Sequence, residues 1–392
     1  MQQKRQVPIA LPSTGVEEWE ATRECFESGW LTQGPKVAAF EKAFAERHNV
    51  KHALAVSSCT TGLHLALAAL GIGPGDEVIV PAFTWVATAN AALYCGATPV
   101  LVDIEKETNN IDPKKIAAKI NQRTKAVIVV HLFGLCADMD AIRAVVPPHV
   151  AIIEDAACAA GASYKGRPAG GLGKMGVFSF HPRKSITTGE GGMVTTDDDA
   201  LASIIGQMRN HGAAVSEEQR HRGPRPYLLP DFDVLGYNYR MTDLQGSVGC
   251  VQLTKLDRFI QERQKWANYY RSALASLKWL KQPVQTSGQA TGGQHAWQAY
   301  VCYVDPELTP LPRNDMMEFL QERGIGTRPG THAVHTLTYY KESFGYEPED
   351  FPNAHACEVN TLAIPLHNKM TEEDYKYVVE SLLAVAECGA KV

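Results

Sequence analysis

Lys184 is the residue whose surroundings most directly suggest chemistry. It lies in the segment FSFHPRKSITTGEGG, residues 178–192, where an apolar strand-like stretch is followed by a His-Pro break, small hydroxylated residues and glycines. Most lysines are solvated surface residues, but an amine just after a buried strand can also act as a nucleophile toward a carbonyl group. The lysine alone leaves both interpretations open.

Asp155 ends the otherwise apolar run AIIED. One interpretation is a helix N-cap for the alanine-rich residues that follow. The other is a carboxylate that faces a cationic ring nitrogen in a dry site. Pyridoxal phosphate (PLP) chemistry requires such a carboxylate, together with a lysine that binds the cofactor. Asp155 and Lys184 are far enough apart in the chain for a further strand to lie between them.

A cluster of small hydroxyl side chains opens the segment SSCTTGLHLALAAL at residue 57 and contains Thr60 and Thr61. An apolar helical stretch follows it. The cluster is either a plain N-cap or a phosphate site made of helix N-terminal N–H groups and hydroxyls. The segment has neither the order of a Walker A loop nor a dinucleotide-binding GxGxxG.

Trp85 and the histidines are further candidates. Trp85 stands at the start of an alanine-rich stretch, so it is either a core residue or a surface that stacks on a ligand ring. Four histidines are scattered without the spacing of a zinc site, so no metal is expected: His131, His181, His332 and His335.

The elements that must position these residues alternate between short apolar runs and helical runs. Strands are predicted at 77–81, 98–103, 126–131 and 150–155, and helices at 85–95, from 112, and at 138–145. Apolar strands separated by helices predict a mostly parallel sheet covered on both faces. Functional sites of such sheets lie at the carboxyl ends of the strands, where His131, Asp155 and Ser179 occur.

The later part of the chain has a different pattern. Residues 213–232 read as a long loop, 242–275 as one or two long helices, and 295–386 as a smaller α/β domain. We therefore predict a large domain over 12–255 and a small C-terminal domain over 256–392.

Composition narrows the class of protein. The chain has 392 residues and a net charge of −5, which argues against nucleic acid or an anionic membrane as the main partner. Its nine cysteines form no CxxC pair and are expected to be reduced thiols. The first residues lack the apolar core of a signal peptide, and no run reaches transmembrane length, so a cytoplasmic location is expected.

Several segments together resemble one family, the DegT/DnrJ/EryC1/StrS aminotransferases. These are PLP-dependent sugar aminotransferases with the aspartate aminotransferase fold (fold type I). The resemblance covers nearly the whole chain, in this order: SGWLTQGPKVAAFEKAFAE, VSSCTTGLHLAL, GDEVIVPAFTWVATANA, IIEDAA, FSFHPRKSITTGEGG, LGYNYRMTDLQGSVG and GIGTRPGTHAVHTLTYY.

The resemblance implies a role for each candidate. Lys184 would bind PLP covalently and move protons, and Asp155 would pair with the ring nitrogen. The other cofactor contacts would be stacking by Trp85, phosphate binding by Thr60, Thr61 and Ser179, and a contact from Asn238 to the phosphate of the neighbouring subunit's cofactor. The last contact implies a homodimer with two shared active sites.

The chain departs from the family pattern at two places, near His335 and at Cys158, and keeps the lysine that some relatives lack. His335 matches a histidine near the sugar, but its segment AVHTLTYY lacks both prolines of the family motif. We group His335 with His332, Arg328 and Tyr339 as predicted substrate residues. Cys158 stands where the family usually has His or Gln, and we do not expect it to be catalytic. Some relatives have a histidine instead of the lysine and act as dehydratases, so Lys184 favours transamination.

The implied reaction moves the amino group of an amino acid, L-glutamate, to C4 of a nucleotide-linked keto-deoxysugar for polysaccharide, O-antigen or glycosylated-metabolite synthesis. One alternative is amination of a cyclitol ketone in an aminoglycoside pathway. Another is a PLP-binding regulatory protein without turnover. Arg220, Arg222 and Arg225 in the predicted long loop either contact the sugar diphosphate or are solvated.

Overall fold

The computed structural model describes residues 5–214, 227, 229, 231–288 and 292–388. The helices are α1 Val16–Ser28, α2 Pro35–His48, α3 Cys59–Ala69, α4 Ala87–Tyr94, α5 Pro113–Ala117, α6 Met139–Val145, α7 Asp199–Met208, α8 Asp243–Ala273, α9 Arg313–Glu322, α10 Thr338–Phe344, α11 Pro352–Asn360 and α12 Glu372–Cys388. The strands are β1 His52–Val56, β2 Glu77–Pro81, β3 Phe83–Thr84, β4 Thr98–Val102, β5 Thr124–Val130, β6 Ala151–Asp155, β7 Ser163–Tyr164, β8 Arg167–Pro168, β9 Met175–Ser179, β10 Gly192–Thr196, β11 Leu280–Lys281, β12 Tyr300–Val304, β13 His332–Ala333 and β14 Thr361–Ile364.

A seven-stranded sheet in the order β1-β10-β9-β6-β5-β2-β4 forms the centre of the molecule. The strands from β9 to β4 pair in parallel, and β10 alone runs antiparallel to both of its neighbours. The prediction of a mostly parallel sheet between helices is therefore confirmed. The sequence interpretation did not name β1 or β10, which complete the sheet beside β9.

The two faces of the sheet bury separate apolar layers, because successive strand side chains point to opposite sides. The front core contains Ile153 and Val177 and is covered by α3, α4 and α7. The back core contains Phe178 and Val129 and is covered by α2, α5, α6 and the first half of α8. Consecutive residues at the end of a strand therefore face different cores.

The long C-terminal helix predicted over 242–275 is a single helix, α8, which starts at a capping box on Thr242. Its residues Leu256 and Ile260 pack in the back core, whereas Ala267 and Tyr270 pack in a third, small core. The small core lies against the antiparallel sheet β11-β12-β14. The division at residue 255 falls inside this shared helix, and it stays a prediction.

Two contacts bring the C-terminal region to the central sheet. Strand β13 pairs antiparallel with β3, so that His332 lies opposite Thr84. At the other end of the chain, Val7 forms a parallel bridge with Ile325. The first contact joins the C-terminal region to the segment that follows β2, and the second joins the N-terminal segment to the C-terminal region. Among the described residues, no helix has both the length and the apolar character needed to cross a lipid bilayer.

Candidate active site

Lys184 lies in a closed loop between β9 and β10. The loop is shut by main-chain bonds from Phe180 N to Gly191 O at 2.9 Å and from Lys184 N to His181 O at 2.9 Å. The half-buried Lys184 side chain directs Nζ to within 3.3 Å of Cys158 Sγ. Lys184 is therefore not a fully solvated surface lysine, and Cys158 is a direct neighbour of the amine.

Asp155 is the last residue of β6 and is buried. Its Oδ2 accepts a hydrogen bond of 2.7 Å from Thr88 Oγ1, and its Oδ1 accepts one of 3.2 Å from Ala157 N. Residues 156–162 form turns rather than a helix, so the interpretation of Asp155 as a helix N-cap is wrong. No lysine or arginine of the described residues forms an ion pair with this carboxylate, which leaves its charge available to a cationic ligand.

Cys59 and Thr88 complete the surroundings of Asp155. Cys59 Sγ lies 3.8 Å from Asp155 Oδ1. Burial raises the pKa of the Cys59 thiol well above its usual value, and the neighbouring carboxylate raises it further. The thiol is therefore neutral at physiological pH. Sequence reasoning did not single out either residue as a candidate. A usable signal was the pair of threonines four residues apart, Thr84 at the end of β3 and Thr88 in the first turn of α4, whose hydroxyls lie 3.0 Å apart.

The N-terminus of α3 lies beside the end of β9. Ser58 caps the helix by accepting from Thr61 N at 3.2 Å, and Thr61 Oγ1 donates to Ser58 O at 2.8 Å. Gly192 packs against this cap so closely that an added Cβ would meet Ser58 C at 2.6 Å. Because Ser179 pairs with Gly192, its side chain points to the same face of the sheet as the α3 N-terminus.

Hydroxyl and N–H donors therefore gather at the α3 N-terminus, which suits a phosphate. Thr61 Oγ1 is used by the cap itself, so among the predicted phosphate residues Thr60 and Ser179 have the freer hydroxyls. The plain N-cap and the phosphate site are compatible here, since the cap leaves other donors in place.

Trp85 has 60% of its surface exposed, so its interpretation as a core residue is wrong. It follows β3, and its ring lies 5.7 Å from the ring of His332. The pairing of β13 with β3 causes this approach. An exposed indole with an imidazole beside it gives a flat surface on which an aromatic cofactor ring can stack.

The other predicted substrate residues are not brought together equally. Tyr339 is 58% exposed, and Arg328 is half-buried and bridges to Ala363. His335 is completely buried, with Nε2 3.3 Å from Pro348 O and its ring 4.9 Å from that of Phe351. Burial lowers the pKa of His335. This histidine packs inside the protein in the turn after β13. The structure does not place it at the surface where a sugar would bind.

Asn238 is exposed on a segment that forms a main-chain bridge with Asn210. The bridge is supported by a 2.7 Å bond from Arg240 to the Asn210 amide oxygen. The side chain is thus free to reach outward from a fixed main chain. Arg220, Arg222 and Arg225 lie outside the described residues.

Known proteins share this architecture. Residues 12–383 match the model of the DegT/DnrJ/EryC1/StrS aminotransferase family. The chain belongs to that family. It is 42% identical over 386 residues to the spore coat polysaccharide biosynthesis protein SpsC of Bacillus subtilis, covering 97% of this chain and 98% of SpsC.

Solved structures of DegT/DnrJ/EryC1/StrS relatives agree with the fold. Spr1654 of Streptococcus pneumoniae, in its pyridoxamine phosphate (PMP) form, superposes with a TM-score of 0.91 at 28% identity, over 98% of this chain and 100% of that chain. The dehydratase ColD with bound GDP-perosamine has a TM-score of 0.86 at 28% identity, over 96% and 100% of the two chains. Spr1654 has also been solved in a PLP form.

The residues present fit that cofactor. Four groups suit the parts of PLP: a buried carboxylate with no ion-pair partner among the described residues, a lysine amine, an exposed indole, and a helix N-terminus with free donors. This DegT/DnrJ/EryC1/StrS member is a PLP-dependent sugar aminotransferase.

Proposed function

We propose that this aminotransferase takes the amino group of L-glutamate and transfers it to C4 of a nucleotide-linked keto-deoxysugar in polysaccharide synthesis. The main support for the proposal is that Lys184 and Asp155 both lie at the carboxyl ends of neighbouring strands. Asp155 ends β6, which pairs in parallel with β9, and Lys184 follows β9 in the loop. A transaminase needs both an amine and a carboxylate in this arrangement.

The two residues would perform different tasks. Asp155 would hold the protonated ring nitrogen of the cofactor, since its buried carboxylate is fixed by Thr88 and forms no ion pair within the described part of the chain. PLP supplies the electron sink that makes a proton on the substrate carbon labile. Lys184 would hold the cofactor covalently at rest and, when released, carry that proton at Nζ.

The remaining cofactor contacts follow from the same geometry. Thr60, Thr61 and Ser179 at the α3 N-terminus would bind the phosphate, and Trp85 would stack on the ring. The exposed Asn238 would reach the phosphate held by a second copy of the chain, so the working unit would be a homodimer. Large apolar side chains exposed in this chain, including Trp19 at 69% and Phe26 at 65%, support such a second copy.

The substrate class is supported by the relatives. SpsC is named for spore coat polysaccharide biosynthesis, and ColD was solved with GDP-perosamine, a nucleotide-linked sugar. The exposed Trp85 and His332 rings lie side by side, and a sugar could pack on their aromatic faces; Tyr339 is also exposed and would be a further contact.

The test separates the two half-reactions. The purified PLP form is mixed with L-glutamate, and conversion to the PMP form is followed by absorption. Lys184→Ala should abolish the conversion, whereas Lys174→Ala should not, because Lys174 is an exposed residue paired with Asp198. A Lys184→Ala protein that converts as fast as wild type would overturn the catalytic assignment.

The PMP form is then offered nucleotide-linked 4-keto-6-deoxyhexoses, 3-keto isomers and keto-cyclitols. Amination of the 4-keto sugars is expected. Turnover of keto-cyclitols alone would replace the sugar assignment with the aminoglycoside-pathway alternative.

A further inference from the structure

Cys158 and Lys184 are two nucleophiles in direct contact, and the proposed reaction uses only the lysine. Lys184 Nζ donates a hydrogen bond to Cys158 Sγ at 3.3 Å. Both side chains are half-buried, so a small solute can reach the sulfur and the nitrogen from outside. The thiol therefore lies in the site without a task in transamination and within reach of the amine.

The contact joins two turns whose main chains are held in place. Ala159 N donates to Ala156 O at 2.8 Å, which closes the turn that contains Cys158. Lys184 N donates to His181 O at 2.9 Å, which closes the turn that contains the lysine. The thiol and the amine therefore start from fixed points of the fold, and no large rearrangement is needed to bring them together.

Other half-buried thiols of the described residues have different surroundings. Three of them donate only to oxygen atoms, at 3.7 to 3.9 Å: Cys59, Cys95 and Cys250. Burial raises the pKa of each of these three thiols, so they stay neutral at physiological pH. The thiolate is the nucleophilic form of cysteine, and an ammonium group beside the sulfur stabilises it. Cys158 is therefore the member of this set that is placed to react with an electrophile.

We propose that Cys158 is a modification site, at which a hydroperoxide links its sulfur to the nitrogen of Lys184 when the cofactor is absent. In the first step Cys158 Sγ attacks one peroxide oxygen, so that an S–O bond forms and the O–O bond breaks. The leaving hydroxide takes the thiol proton and departs as water. The sulfur is oxidised by two electrons, which reduce the peroxide.

The second step uses the amine beside the oxidised sulfur. The neutral Lys184 Nζ attacks Cys158 Sγ, an S–N bond forms, and the S–O bond breaks. The hydroxyl leaves with one amine proton as a second water. The product is a sulfenamide, which has two hydrogen atoms fewer than the reduced chain and contains no atom of the oxidant. A thiol reverses the link by attacking Sγ, which releases the lysine amine and leaves a mixed disulfide that a second thiol reduces.

The cross-link and PLP compete for the same nitrogen. When Lys184 Nζ is bound to sulfur, the free amine that would hold the cofactor is gone, so the oxidised chain should stay unloaded until a thiol reduces it. Bound PLP should in turn protect the enzyme, because it occupies the nitrogen that the second step needs. This competition rests on the proposed function, which assigns the cofactor to Lys184, whereas the cross-link itself depends only on the contact between the two side chains.

The experiment treats the cofactor-free and the PLP-loaded protein with hydrogen peroxide and follows the link by intact mass and peptide mapping. Cofactor-free wild type should lose two hydrogen atoms and give a joined peptide that contains Cys158 and Lys184. Dithiothreitol should restore the original mass, and the PLP-loaded protein should give no joined peptide. Cys158→Ser should not form the link. Lys184→Arg should stop at the sulfenic acid of Cys158, which dimedone traps.

Loading with PLP gives a second readout that does not depend on turnover. Peroxide-treated protein is mixed with PLP, and the bound cofactor is measured by absorption after gel filtration. The fraction of wild type that fails to bind PLP should equal the fraction that is cross-linked, and dithiothreitol should recover both. Cys158→Ser should load normally after peroxide. The matched control is Cys95→Ser, which removes another half-buried thiol and should respond to peroxide as wild type does.

The remaining outcomes would overturn one claim or the other. A joined peptide of Cys158 and Cys59 would show that a disulfide forms, and the assignment to Lys184 would be wrong. Cys158 carrying oxygen without any link would contradict the second step. A complete cross-link with normal PLP loading would show that Lys184 does not hold the cofactor. If untreated wild type binds no PLP, the proposed function fails, and the peptide map still decides whether the cross-link forms.

Discussion

Glu154 and Asp155 are consecutive acidic residues of β6, and they have opposite surroundings. Glu154 points into the back core, where Oε1 accepts from Leu172 N at 2.7 Å and Gly173 N at 2.6 Å, and Oε2 accepts from Gly170 N at 2.7 Å. Asp155 points to the front, with one hydroxyl donor, one N–H donor and the weaker, more distant Cys59 thiol. One carboxylate is saturated by the protein and the other is held ready for a ligand.

His131 shows how complete the back arrangement is. Ala137 N donates to His131 Nδ1 at 3.2 Å, so the ring proton is on Nε2 and is donated to Glu154 at 3.0 Å. Both side chains have no exposed surface. Because buried polar groups are stable only when each bond is made, the Glu154 group stabilises the fold and leaves no bonding capacity for chemistry. Carboxylates within one strand can thus serve either stability or function, depending on which donors surround them.

The variant Asp155→Asn is the strongest test of the difference between Glu154 and Asp155. The neutral amide cannot stabilise a positive ring nitrogen, so the rate of the glutamate half-reaction should fall about 10³-fold. The free energy of unfolding should change by less than about 1 kcal/mol, since the amide oxygen still accepts from Thr88. Single-turnover absorption and urea denaturation measure the two quantities. A stability loss as large as the activity loss would remove the distinction from Glu154.

Glu154→Gln should lower stability and leave activity nearly unchanged, which is the reverse of the effect of Asp155→Asn. The amide NH₂ would face N–H donors and leave buried groups unpaired, so the free energy of unfolding should fall by about 3 kcal/mol. Activity per cofactor-loaded site should remain within about 3-fold, because no atom of Glu154 faces the front. Urea denaturation at fixed protein concentration gives the first quantity. A Glu154→Gln protein of wild-type stability would show that the four donors do not need a carboxylate.

Lowering the pH should reduce the stability of the folded chain through His48, which lies on the back face of the sheet. Burial lowers the pKa of His48 to about 3, and its ring stacks on Phe44 with centroids 4.0 Å apart. The unfolded chain binds a proton near pH 6.5 that the folded chain does not, so stability is lost as the pH falls from 6.5 toward 3. At pH 5 the loss is about 2 kcal/mol from this residue.

Denaturation midpoints at pH 7 and pH 5 measure this loss. His48→Phe should reduce the difference between the two midpoints, whereas replacement of the exposed His149 by Gln should not. An unchanged pH dependence in His48→Phe would show that other groups carry the acid sensitivity. His295, with a pKa of about 3, and His367, with a pKa of about 4, would then be examined next.

The smallest effects are expected from substitution of two threonines, one on each face of the sheet, that each donate a 2.7 Å hydrogen bond. Thr88→Val removes the 2.7 Å bond to Asp155 on the front and should slow the glutamate half-reaction about 10-fold. Thr195→Val removes the 2.7 Å bond to Gly170 O behind the sheet and should lower the free energy of unfolding by about 1 kcal/mol with unchanged turnover. Equal effects of both variants on turnover would contradict the separation of the two faces.

Much of the fold could be predicted from the sequence, because the apolar runs have the length of buried strands and alternate along the chain with helical runs. The segments at 77–81, 98–103, 126–131 and 150–155 were identified this way. β10 was not named, since its sequence GMVTT follows a glycine-rich loop and has little apolar length. The predicted Trp85–Cys95 helix begins only at Ala87, because Phe83 and Thr84 are held in β3 by pairing with β13.

Some residues of the candidate site could likewise be predicted from the sequence, and others could not. Lys184 and Asp155 could be found because a polar residue at the end of an apolar strand is conspicuous in the sequence. Thr88 and Cys59 were missed, since each is an ordinary residue until its distant partner is known. His335 was placed with the substrate by its motif, whereas the structure buries it against Phe351.

The sequence by itself determined which residue types are available for PLP chemistry and which segments become strands and helices, because both are local properties of composition and period. Only the tertiary structure decided that Glu154 is saturated while Asp155 is open, and that Cys158 lies beside the Lys184 amine. Such contacts join residues far apart in the chain. They depend on sheet order, on register and on the pairing of β13 with β3, which no local pattern encodes.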